Sequence, residues 1–187
     1  INDIGFETYQ KILNEAIEEL KREKFKDLFK NEKLIYVKDC QLDTDLEILI
    51  PDTYVSNISE RLNLYKQLNT FTKEKEITEF IECIKDRFGK MPDEINNLCN
   101  AIRLRWYAKK IGFERIILKN NHFLGYLPTQ DNSSYYKSNT FKKVLDYLKN
   151  HTDICEIKEK KEKLSIKIIN IKSLKEALEV CRNIIPV

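Results

Sequence analysis

The sequence predicts an α+β fold: an N-terminal helical part with one or two short strands, followed by a β-β-α-β-β-α tail. Three observations predict it. Apolar residues recur at helical spacing up to about residue 112. Beyond that point, alternating apolar runs come in pairs. Capping residues and glycines punctuate the chain between these runs. The length, 187 residues, suits one domain with two lobes, a helical lobe over about 1–112 and a small α/β lobe over about 113–187.

Phe6, Tyr9, Leu13, Ile17 and Leu20 predict a first helix that ends in the charged stretch from Lys21 to Lys30. Residues 31–41 read as a linker or irregular strand. Leu46, Ile48 and Ile50 alternate with polar residues, so 45–50 is expected to be a strand, stopped by Pro51. Asn57 with Glu60 resembles a capping box that opens a helix through Ile58, Leu62, Tyr65 and Leu68. Thr72 is the expected cap of the next helix, whose stripe is Ile77, Phe80, Ile81, Ile84 and Phe88. Gly89 stands where a left-handed C-cap belongs. Pro92 pre-sets the first turn of another helix with Ile95, Leu98, Cys99, Ile102 and Trp106 on one side, ended by Gly112.

In the tail, Arg115–Lys119 and His122–Leu127 predict two strands around an Asn120-Asn121 turn. Pro128 to Ser138 is polar and tyrosine-bearing, so it is expected to be a loop. Phe141, Val144, Leu145 and Leu148 predict a short helix. Ile154–Lys158 and Leu164, Ile166 and Ile168 predict a hairpin with a lysine-rich turn. Ser173 and Glu176 form a capping box before Leu174, Ala177, Leu178, Cys181 and Ile185.

Composition narrows the chemistry. The net charge is +3, from 33 basic and 30 acidic residues, too small an excess to argue for nucleic acid. No apolar run approaches the roughly 20 residues of a membrane span. A basic n-region is missing at the start, so no signal peptide is expected, and the missing initiator Met suggests a piece of a longer protein. The five cysteines form no CxxC pair, which points to a reducing, cytoplasmic compartment rather than a disulfide framework or zinc site. His122 and His151 are isolated. Four scattered glycines cannot build a phosphate-cradling loop, and no nucleophile or metalloprotease motif is present. No enzyme activity, cofactor or metal is expected of this stretch.

Opposite the stripe of the Ile77–Phe88 helix stand Glu79, Glu82, Cys83 and Asp86. The acids repel one another by a few tenths of a kcal/mol per pair. Asp86 also sits in the last turn, where the helix dipole makes a carboxylate unfavourable by about 0.3–1 kcal/mol. Glu79, Glu82 and Asp86 are therefore a candidate docking strip for a partner's arginines or lysines. The other reading is a solvated face, or an Asp86 satisfied internally by Arg103 or Arg105. Arg103, Arg105, Lys109 and Lys110, followed by Arg115 and Lys119, with Tyr135, Tyr136 and Lys137 in the polar loop, are candidate nucleic-acid contacts. The competing reading places Arg103 and Arg105 beside the core and Trp106 in it.

Four blocks resemble the C-terminal domain of the bacterial transcription-repair coupling factor (Mfd) family. They are Gly5-Phe6 with Tyr9, Leu13 and Ala16; Asp45 to Pro51 with Tyr54-Val55 and Arg61 to Lys66; Asp86-Arg87-Phe88-Gly89 with Met91-Pro92 and Asn97-Leu98; and Arg103-Leu104 with Ala108, Lys110 to Gly112 and Ile116. The resemblance implies a parent protein that is an ATP-driven double-stranded DNA translocase, binding ATP and Mg in an upstream motor. That parent displaces stalled RNA polymerase and recruits the damage sensor UvrA for excision repair. It further implies that this domain regulates the parent by packing on an N-terminal UvrA-binding module. The family's docking helix precedes its Arg-Phe-Gly, so Asp86 matches the family's Asp, whereas Cys83 stands where the family often has Glu. Ser56-Asn57 replaces a frequent Pro-Asp, and Lys90 a frequent Pro.

Overall fold

The computed structural model describes residues 36–129, 133–160 and 163–185. The expected first helix, with Phe6, Tyr9, Leu13, Ile17 and Leu20, lies outside the described residues. The elements run β1 (Gln41–Thr44), α1 (Ile58–Thr70), α2 (Glu74–Phe88), α3 (Asp93–Ile111), β2 (Arg115–Lys119), β3 (His122–Thr129), α4 (Ser133–Tyr136), α5 (Asn139–Asn150), β4 (Cys155–Lys160), β5 (Lys163–Ile169) and α6 (Leu174–Ile184). The five strands form one sheet in the order β1-β2-β3-β5-β4. Only the β1–β2 pair is parallel. The α+β class and the β-β-α-β-β-α tail are as the sequence predicts, with α4 added.

The expected strand over 45–50 does not form. The strand is β1, just before it, in register with Arg115 to Leu118. Thr44 Oγ1 accepts from the Leu46 N–H at 3.0 Å and turns the chain away. Asp45 Oδ2 accepts from the Asn120 N–H at 3.0 Å, where the β2–β3 hairpin reverses and leaves no further strand to pair with. The alternation of Leu46, Ile48 and Ile50 survives as burial in irregular, unpaired chain. Leu46 and Ile48 pack on one core, and Ile50 is buried in the other.

Asn57 caps α1, its side chain accepting from the Glu60 N–H at 3.0 Å. The inward face of α1 is rotated by about a quarter of a turn or less from the expected one, since Leu68 and Tyr65 reach the core as expected. Leu64 and Leu68 are buried, while Ile58 and Leu62 are 66% and 54% exposed. α2 starts one residue later than expected, with Lys73 at the cap rather than Thr72. The Glu76 carboxylate accepts from the Thr72 and Lys73 N–H groups, both at 2.7 Å. These two bonds hold the Glu76 carboxyl below its ordinary pKa. Its contribution to stability is complete above the unfolded carboxylate pKa and is lost as pH falls through the depressed folded value. The Thr72 and Lys73 amide NMR signals are therefore expected to titrate together, with a midpoint below that of an ordinary glutamate.

Gly89 has positive φ, as a C-cap glycine should, but its ψ of −149° is not left-handed helical. Pro92 is the N-cap of α3 rather than its first helical residue. Gly112 does adopt the left-handed conformation, and its N–H and that of Phe113 both donate to Ala108 O, at 2.9 and 2.8 Å.

Two hydrophobic cores result among the described residues. The smaller one joins Ile77, Phe80 and Ile84 of α2, Leu64 and Leu68 of α1, and Ile95 and Cys99 of α3. The larger one lies between one face of the sheet and α3, α5 and α6. α3 serves both. Its expected stripe, Ile95 to Trp106, faces the smaller core, and a second stripe of Ala101, Leu104, Ala108 and Ile111 enters the larger. In the tail, Asn120 and Asn121 take positive φ at the hairpin, and Ser138 and Ser173 cap α5 and α6. The stretch expected as a polar loop after Leu127 instead continues β3 to Thr129 and then forms α4. Its Tyr135 is fully buried.

Candidate functional site

The burial of Ile77, Phe80 and Ile84 fixes the rotation of α2. Glu79, Glu82, Cys83 and Asp86 are consequently all exposed on its outer side. Glu79 Oε1 lies 3.5 Å from Lys75 Nζ, but the two side chains are 62% and 84% exposed, so water screens the pair. Among the described residues neither Glu82 nor Asp86 has an ion-pair partner. Arg87, next to Asp86, is engaged elsewhere: Nη1 lies 2.9 Å from Glu60 Oε1 on α1.

The internal partners considered for Asp86 bind other acids. Arg103 Nε donates to both Glu74 oxygens, at 2.9 and 3.0 Å, and Nη1 to Asn100 Oδ1 at 3.1 Å. Arg105 Nη2 donates to both oxygens of Asp39 at 2.8 Å. Partial burial works to raise the Asp39 pKa, but the Arg105 hydrogen bond, the Cys40 N–H and nearby Lys109 outweigh it and hold the carboxyl low. Arg115 donates to Asp43 Oδ2 at 2.7 Å. Lys110 is exposed, with Nζ 5.1 Å from the centre of the Tyr107 ring.

The aromatic residues grouped with these cations belong to the interior. The Tyr135 hydroxyl donates to Ile111 O at 2.9 Å, and burial pushes its pKa up. The Tyr136 hydroxyl donates to Pro128 O, and Trp106 Nε1 to Phe71 O at 3.1 Å. His122 Nδ1 is 2.7 Å from Asn120 O, and His151 stacks on Tyr147 with ring centres 4.2 Å apart. Burial raises the thiol pKa of Cys40 to about 12 and of Cys99 to about 11, which keeps both protonated and unreactive. Among the described residues no group of three or more His, Cys, Asp or Glu is placed to hold a metal, and no helix is long and apolar enough to cross a membrane.

Sequence reasoning did not find an open cavity of about 560 Å³ at the end of α2, lined by Lys85, Gly89, Lys90, Met91 and Asn96. Its lining comes from a helix end, a turn and the next helix, so no spacing in the sequence marks it.

The TRCF domain family model matches residues 44–138, just over half of the chain. The transcription-repair-coupling factor of Buchnera aphidicola is 36% identical over 134 residues, covering 72% of this chain and 16% of that protein. That of Bacillus subtilis is 30% identical over 116 residues, covering 62% and 9%. That of Escherichia coli is 28% identical over 113 residues, covering 60% and 10%. The chain thus spans a small part of the length of these relatives. A solved structure, described as the C-terminal domain of transcription-repair coupling factor, superposes with a TM-score of 0.65 at 20% identity. It covers 78% of this chain and 91% of that one, a likeness of fold.

Proposed function

The chain belongs to the TRCF domain family, and from that premise we propose that it is a non-catalytic regulatory domain of a transcription-repair coupling factor. In this reading it serves a bacterial, cytoplasmic DNA translocase that displaces stalled RNA polymerase and recruits UvrA, with ATP and Mg bound in the motor of the parent. The domain restrains the parent by docking α2 on its N-terminal UvrA-binding module. The observation that carries this reading is the pair Glu82 and Asp86, exposed on one face of α2 and not neutralised by cations among the described residues.

Foreign guanidinium groups at that face would relieve both the mutual repulsion and the unfavourable position of Asp86. The docking is weak and salt-sensitive, because exposed ion pairs are screened. Reversing Glu82 and Asp86 together to lysine is expected to weaken binding to the N-terminal module about tenfold or more at low salt. Calorimetric titration at two salt concentrations checks this. Unchanged affinity in the double variant would falsify the strip as the interface. The basic 103–119 surface supports nucleic-acid binding less well, since Arg103, Arg105 and Arg115 each hold a carboxylate of this chain.

A further inference from the structure

The sheet has a second face that the cores do not use. Residues of β2, β3 and β5 alternate, sending Ile116, Leu118, Phe123, Leu127, Ile166 and Ile168 into the larger core. The opposite positions carry Ile117, Leu124, Tyr126 and Ile169. These four are half-buried and belong to neither core. They form one patch: Ile117 lies opposite Leu124, Tyr126 is two residues along the same strand, and Ile169 lies opposite His122. A solvated sheet face normally carries polar residues at such central positions.

Four cations and two acids border the patch, Asp43 opposite Ile117 and Glu156 opposite Lys167. Arg115 lies opposite Tyr126, and Lys167 lies opposite Leu124. Lys119 ends β2, and Lys158 stands on the edge strand. Two of the four are neutralised, Arg115 by Asp43 and Lys158 by Glu156 at 3.1 Å. Among the described residues Lys119 and Lys167 have no ion-pair partner.

We propose that this face binds an amphipathic helix of a partner protein whose apolar stripe is bordered by carboxylates. A helix is the element that covers a sheet face, as α3, α5 and α6 do on the other side. Its apolar stripe would meet the four-residue patch, and its acids would meet Lys119 and Lys167. Nucleic acid fits the floor less well. Bases stack best on aromatic rings, and only Tyr126 of the four offers one. The face is built from strands and shares no residue with the acidic strip on α2, so it stands whether or not that strip docks.

The test is an NMR titration of the 187-residue chain with three probes. One is a synthetic helical peptide with leucines at i, i+3, i+4 and i+7 bordered by glutamates. The second has lysines in place of the glutamates, and the third is a single-stranded oligothymidylate. The glutamate peptide is expected to shift the amides of Leu124, Tyr126 and Lys167, and to bind about tenfold more tightly than the lysine peptide. Lys119→Glu with Lys167→Glu is expected to remove that preference, and the milder Lys167→Gln to reduce it, with circular dichroism unchanged. Equal affinity for the two peptides overturns the proposal, as does absence of shifts on this face. Shifts with the oligonucleotide alone overturn it too and assign the face to nucleic acid.

Discussion

Gly112→Ala is expected to destabilise the fold by about 3 kcal/mol or more, the joint effect of backbone strain and overpacking. Gly112 has φ +100°, and a Cβ there would clash with Tyr135 Cε2 and stand 3.0 Å from Cζ. The ring cannot easily retreat. It is fully buried, its hydroxyl is bonded to Ile111 O, and it packs at 5.2 to 5.5 Å against Tyr36, Tyr136 and Phe141. Gly89→Ala is the uncrowded comparison: φ is +83° with ψ −149°, a region kept almost wholly to glycine, but nothing lies within 4 Å of the new methyl. It should show strain alone, about 1–3 kcal/mol. Urea denaturation of each variant against the parent gives the two costs, and a loss for Gly112→Ala no larger than backbone strain alone, about 1–3 kcal/mol, would show that Tyr135 gives way.

The second large effect concerns α3. Ile95 and Leu104 are both 0% exposed, one in the smaller core and the other in the larger. Each truncation to alanine removes most of a buried side chain and leaves a cavity, so each is expected to cost about 2–5 kcal/mol. Since one continuous helix belongs to both cores, damage to either is expected to lower the midpoint of a single shared unfolding transition. Fluorescence from Trp106 and far-UV circular dichroism should follow the same curve for both variants. Separated curves for the two probes would show that the cores melt independently.

Most helices and the tail are legible in the sequence because periodicity and punctuation agree there. The α2 stripe, Gly112, the Asn120-Asn121 turn and the Ser173 cap are such places. Where the two signals part, the reading fails. Alternation over 45–50 reports which side chains face inward, but it cannot report that β2 ends at Lys119. In α1 two overlapping apolar stripes compete, and only the packing of α2 and α3 selects Leu64 and Leu68 over Ile58 and Leu62. The burial of Tyr135 depends on space left by a glycine more than twenty positions earlier.

The candidate strip was visible because it lies opposite an unambiguous stripe. The partners of Arg103 and Arg105 were not, because Glu74 and Asp39 are 29 and 66 positions away in the chain. The outer sheet face was equally hidden. Its residues come from three strands, and only their register brings Ile117, Leu124, Tyr126 and Ile169 together.

The parallel β1–β2 pair joins Asp43 to Arg115 across 72 positions of chain. The ring it closes contains all of α1, α2 and α3. Closure entropy rises only with the logarithm of ring size, so even doubling the enclosed stretch would cost about 0.6 kcal/mol. That crossover can therefore lengthen or shrink with little thermodynamic consequence. Its burden falls on time: a contact this remote in the chain is slow to find.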